Sequence, residues 1–180
     1  HDALPISVAL AAETSLSSIL ATLDAEKRAD RYFRATWAPL LPEAAYARSV
    51  PDERPWFSRG GKLPKVMGDG MDQPGPGFYG SLLPSPFGDA LTLDFARAAI
   101  AGEHLGQDDV PDILSISLSS HDYINHAWGP ESRLSHDHLL QLDPVADDCR
   151  QGRREVEPDR CAVRLRRLRV LAAEAERRRR

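Results

Sequence analysis

Thiols are scarce: two cysteines, Cys149 and Cys161, in 180 residues. Two cannot build a four-thiol zinc site, and their spacing matches no ribbon or redox motif, so they are incidental and say nothing about compartment. No run of 18 or more apolar residues occurs, which excludes a bilayer-spanning helix. The opening His1-Asp2-Ala3-Leu4-Pro5-Ile6 lacks the basic and apolar regions of a signal peptide. It is similar to the in-frame translation of a common sequencing-library adapter, and residues 1–6 are expected to be such a scar.

Residues 144–180 contain no aromatic and no lysine, yet hold 12 arginines against 7 acidic residues. Residues 1–143 carry 11 basic and 20 acidic residues, so the overall net charge of −4 conceals two opposed halves. The composition of the tail, its two isolated cysteines and its end in Arg177 to Arg180 are what a GC-rich coding strand yields out of frame, and a frameshift near Asp143 is expected. Leu165, Leu168, Leu171 and Ala172 stand at helical spacing, so Arg164 to Ala175 reads as a solvated or partner-seeking helix. Phosphate neutralisation by such a helix would bind nucleic acid, but no aromatic is interleaved for base stacking, which makes a nucleic-acid partner an unfavoured reading.

Between these ends the chain is long enough for one domain with a sizeable core. Leu16, Ile19, Leu20 and Leu23 form one face of a short helix that Thr14 or Ser15 could cap. Ser49 to Gly88 holds 7 of the 14 prolines and 8 of the 12 glycines, so regular elements there must be few and short. Asp89 to Leu105 reads as a helix, with Leu91, Phe95, Ala98 and Ala99 along one side and Gly106 as its stop. Ile113, Leu114, Ile116 and Leu118 then give the profile of a strand in an α/β sheet. Ser132 caps a further helix to about Asp143, with Leu134, Leu139 and Leu142 facing inward.

At the carboxyl end of that strand, where α/β sheets build their sites, stands Ser119-Ser120-His121-Asp122-Tyr123-Ile124-Asn125-His126. Zinc takes carboxylate oxygen and imidazole nitrogen at about 2.0–2.2 Å, and Asp122 and His126, four apart, can converge on one ion where a strand hands over to a helix. The plain alternative is an N-cap Asp and a surface His. His136-Asp137-His138 looks like a second cluster, but residues two apart on a helix diverge by about 200°, so these and His121 are expected to be surface or supporting groups. Tyr123 and Trp128 are expected to pack at the strand end, and His104 to complement a helix dipole.

The segment Asp112 to Ser120, with Asp122-Tyr123, His126, Gly129-Pro130-Glu131-Ser132 and Leu140-Gln141-Leu142-Asp143, resembles the alkaline phosphatase superfamily, in particular its type I phosphodiesterase and PafA-like branches. Phe87 to Ile100 is similar to the family's preceding helix, and Arg31-Tyr32-Phe33 with Thr36-Trp37 to an earlier segment. The resemblance covers about residues 24–143. It implies an α/β fold: here, part of a sheet flanked by helices, with the Pro/Gly-rich loop and an Arg-rich helical or disordered tail. Residues 7–143 would be the partial domain and 144–180 the out-of-frame tail.

The function so implied is zinc-dependent hydrolysis of phosphoric monoesters. Phosphodiester or nucleotide pyrophosphate cleavage is the alternative within the superfamily, and a non-catalytic, Arg-rich nucleic-acid-binding protein the alternative outside it. The family uses two zinc ions on a phosphate ester substrate, and its members are typically periplasmic or secreted. By position, Asp122 and His126 correspond to ligands of the leaving-group metal. The family's Thr or Ser nucleophile segment, its Lys-x-Arg phosphate-binding element, its distant His and its Asp-His-Gly motif have no counterpart here, so the chain alone is expected to be inactive and to hold metal weakly.

Overall fold

Helix α1 (Glu13–Ala25) leads through a 3-10 turn at Asp30–Tyr32 into a two-residue strand, β1 (Thr36–Trp37). A second 3-10 turn (Glu43–Tyr46) precedes β2 (Lys65–Val66), which pairs antiparallel with β1. Then follow α2 (Pro76–Leu82), α3 (Pro86–Gly102), β3 (Asp112–Ile116), α4 (Ser120–Trp128), α5 (Arg133–Gln151) and β4 (Cys161–Leu165). This computed structural model describes residues 13–52, 54–58, 60–105, 107, 112–151 and 161–165. The expected scar at 1–6 and most of the expected helix at Arg164–Ala175 lie outside them.

Proline opens both α2 and α3, where a missing N–H costs nothing and a fixed φ suits the first turn. Thr14 and Ser15 do not cap α1, because both already belong to it. At the far end of α3 the chain turns through the left-handed region at His104 (φ 54°), so this residue supplies the stop expected of Gly106.

Helix α3 buries more than the single stripe its sequence suggested. Leu91 joins Trp37, Leu63, Met67, Phe78, Leu82, Ile124, Trp128 and Leu134 in one cluster, while Leu93 and Ala96 join Leu105, Leu114 and Ile116 in a second. Residues 91 and 93 point about 200° apart on a helix. The cause is position: α3 touches α1, α2, α4, α5 and β3, and so has two inner faces.

Strand β3 pairs parallel with β4, from Asp112 opposite Cys161 to Ile116 opposite Leu165, and α4 and α5 lie between them in the chain. Parallel neighbours need such a crossover. Ser132 caps α5 as expected, its Oγ accepting the Ser135 N–H at 3.1 Å. Helix α5 then passes Pro144 to reach Gln151, where the sequence placed an end near Asp143; Arg164 and Leu165 lie in β4, not in a helix.

The Pro/Gly-rich segment is fastened by backbone. Val50 N donates to Glu131 O at 2.9 Å and Ser58 N to Ala127 O at 2.8 Å, while Trp128 Nε1 donates to Ser58 O at 3.0 Å. A deeper tie is Asp137, fully buried on α5. Its carboxylate accepts from Trp37 Nε1 at 2.6 Å, Leu40 N at 2.7 Å, Gln141 Nε2 at 2.6 Å and the Tyr46 hydroxyl. A buried donor left without its acceptor costs about 1–3 kcal/mol. Asp137→Ala strips the acceptor from the Trp37, Leu40 and Tyr46 donors, and is expected to cost about 3 kcal/mol or more. Urea unfolding checks this, and a loss below about 1 kcal/mol would show that water replaces the carboxylate.

Candidate metal centre

Four residues beyond the end of β3, α4 begins, with Ser119 O accepting the N–H groups of Asp122 (3.1 Å) and Tyr123 (3.3 Å). Ile124 and Trp128 are buried on its inner side. Helical geometry sends residues 122 and 126 to the other side, one turn apart. Asp122 Oδ2 lies 3.7 Å from His126 Nε2, with the two side chains 51% and 81% exposed. Gly129 (φ 82°) ends the helix, its N–H donating to Asn125 O.

The structure thus brings the Asp122 and His126 side chains to within 3.7 Å of each other. Two donors sharing a tetrahedral ion at about 2.0–2.2 Å lie about 3.3–3.6 Å apart, so the observed separation fits a common cation after a small rotamer adjustment. Among the described residues no group of three or more metal-ligating side chains converges.

Directly inside α4 is a second Asp/His arrangement, which sequence reasoning missed. Asp89, in the first turn of α3, is 2% exposed, and His138, on α5, is fully buried. Asp89 Oδ1 accepts the Ser120 N–H at 3.2 Å. Asp89 Oδ2 lies 3.1 Å from His138 Nε2; that is a charge-pair distance, but the N–H is not aimed at the oxygen, and neither atom is hydrogen-bonded among the described residues. The two groups are thus in close polar contact without a directional bond between them. His138 stacks on His121, with centroids 5.4 Å apart and planes at 23°, and meets the Trp37 ring edge-on.

Of the two readings open for His138, a surface or a supporting group, burial rules out the first. A signal was available: it repeats at i, i+4 with Leu134 and Leu142, on the buried stripe, as Asp89 does with Leu93 and Ala96. His136 lies apart, its Nδ1 3.3 Å from Ser49 Oγ. Trp128 packs as expected at 2% exposure, whereas Tyr123 is 38% exposed and is not core.

No family model matches the chain. It is 35% identical over 130 residues to alkaline phosphatase PhoV of Synechococcus elongatus, an alignment covering 69% of this chain and 23% of that protein. Alkaline phosphatase PafA of Elizabethkingia meningoseptica is 37% identical over 109 residues, 59% of this chain and 20% of that protein. A Myroides odoratus protein named calcium-transporting ATPase is 36% identical over 127 residues, covering 68% of this chain and 23% of that one. A crystal structure of wild-type alkaline phosphatase PafA superposes with a TM-score of 0.64 at 27% identity, covering 81% of this chain and 28% of that one. The chain belongs to the alkaline phosphatase superfamily. It spans about a quarter of the length of these superfamily relatives.

Burial, with repulsion from His138 second, pushes the His121 imidazole down to about 4. The unfolded chain takes up this proton near pH 6.5 and the folded chain only near pH 4, so stability contributed by neutral His121 is lost as pH falls through that window. In metal-free, chelated protein the urea midpoint is expected to drop from pH 6.5 to 4, and less steeply in His121→Gln. Equal slopes would show that His121 is not held neutral.

Proposed function

We propose that the chain forms part of a metal-dependent phosphoric ester hydrolase acting on phosphate monoesters, with Asp122 and His126 contributing two ligands to a zinc ion. The observation that carries this reading is the paired presentation of Asp122 Oδ2 and His126 Nε2, 3.7 Å apart on the outer face of α4, just past the carboxyl end of β3. Both donor types suit zinc, and the site is open to solvent, as a substrate-facing centre requires. Zinc at such a centre stabilises charge on phosphoryl and leaving oxygens.

The chain's own residues supply the platform. Ile124 and Trp128 anchor the inner side of α4, and Asn125 Oδ1 accepts the Ser135 hydroxyl at 2.8 Å, tying α4 to α5. On this reading the remaining ligands and the nucleophile would belong to the part of such relatives that the chain does not span. The phosphomonoesterase reading is supported by relatives named alkaline phosphatases. Export to the periplasm or beyond belongs to the same reading. Among the described residues no helix is long and apolar enough to cross a membrane.

Two protein ligands hold zinc less tightly than three or four, so the chain is expected to bind zinc weakly and to leave a chromogenic phosphate monoester intact. Asp122→Ala and His126→Ala should each weaken zinc by more than the about 10–100-fold typical of groups that only support a ligand. Calorimetric titration reads this directly; zinc bound as tightly by both variants as by the wild type would refute the assignment.

A further inference from the structure

The buried pair behind α4 serves the exposed pair in front of it. We propose that Asp89 is a positioning residue for the metal half-site: its carboxylate fixes the first turn of α4 and so sets where Asp122 presents its oxygen. This rests on the reading that Asp122 and His126 share a cation.

Three consecutive residues at the start of α4 carry the inference. The Ser120 N–H is held by Asp89 Oδ1 at 3.2 Å, and the His121 ring is stacked on His138, which lies 3.1 Å from Asp89 Oδ2. The next residue is Asp122. Helix α3 reaches this position because residue 88 is glycine: a Cβ there would stand 2.7 Å from Ser120 Oγ and 2.6 Å from Leu82 O. The two helix starts therefore touch backbone to side chain, with the Asp89 carboxylate bridging them. The negative charge also lies against the first turn of α4, where the helix dipole favours it.

Cohesion alone does not call for this chemistry. A buried ion pair is commonly no more stabilising than well-packed apolar side chains of the same volume, because both charges lose their water. What the pair adds is direction: a hydrogen bond to one N–H and a stack on one ring fix the rotation of α4 about its axis, which greasy contacts leave softer. Outer groups that orient ligands are typically worth about 10–100-fold in metal affinity.

The test compares zinc affinity and amide exchange in Asp89→Leu, Asp89→Asn and Leu105→Ala, the last removing a buried side chain at the opposite end of α3. Asp89→Leu is expected to weaken zinc about 10–100-fold and, in the metal-free chain, to speed exchange of the Ser120 to Tyr123 amides. Asp89→Asn keeps the Oδ1 acceptor and a polar group facing the His138 ring, so it should recover most of both losses. Leu105→Ala should lower stability while leaving zinc affinity and α4 exchange near wild type. If Asp89→Leu does not fold, the smaller Asp89→Ala carries the same comparison. Equal effects of Asp89→Leu and Leu105→Ala on zinc and exchange would overturn the proposal. A wild type that binds no zinc overturns the Asp122–His126 reading and the metal half of the proposal with it. The exchange measurement then overturns the clamp itself if Ser120 exchanges no faster in Asp89→Leu than in Leu105→Ala.

Discussion

The Asp137 carboxylate is the point to which the irregular half of the molecule is tied. It is fully buried, and its partners come from β1, from the loop after it and from the 3-10 turn at Glu43–Tyr46. Without it, the buried Trp37 and Tyr46 donors would lose their acceptor, and the cheapest relief would be to open the loop. The flanking histidines leave α5 about 100° to either side, so three consecutive polar residues serve three different neighbours. His136 meets Ser49 and the edge of the Tyr46 ring, and His138 meets Asp89, His121 and Trp37. One tripeptide thereby registers α5 against the loop, against β1 and against the start of α4.

That arrangement explains which features were legible in the sequence. The existence of α3, β3 and the Ser132-capped α5 follows from apolar periodicity and punctuation, signals that lie within a few residues of one another. The Asp122–His126 pairing is likewise local, since a helical turn brings i and i+4 together whatever the rest of the chain does. The Asp137 network is not local: Leu40 and Trp37 are 97 and 100 residues away. No spacing rule links donors and acceptor across such a gap, and a polar tripeptide on a helix reads as solvated surface. The second inner face of α3 was hidden for the same reason, because it exists only once α1, β3, α4 and α5 have closed around it. Near the tail, a helix end was expected at about Asp143 and a helix from Arg164, yet α5 extends through Pro144 and Cys161–Leu165 pairs with β3 as β4. A proline costs one helical hydrogen bond, and parallel pairing to an apolar strand is available to any short run that reaches it in register.

Two Asp/His pairs sit on opposite sides of α4, and their difference is one of solvent rather than residue type. Asp122 and His126 are 51% and 81% exposed, so water solvates both and their mutual attraction is weak. Asp89 and His138 are buried, so separating them would leave polar groups in the core without their partner. The same chemistry is thus ligand-like outside and scaffold-like inside, and burial decides which.

On the metal-site reading, the shortness of α4 is itself informative. Nine residues form a marginal helix on their own, so its geometry must be imposed from outside. The constraints are spread along it: Asp89 and Gly88 at its start, Ile124 in the core, Asn125 bonded to Ser135, and Trp128 anchored to Ser58 at its end. A helix held at both ends fixes the backbone positions of the two donors before any ion arrives, which lessens the ordering entropy lost on binding. A third donor brought by another segment then meets a site already two-thirds arranged, and zinc would favour docking of that segment by the difference between two-ligand and three-ligand affinity.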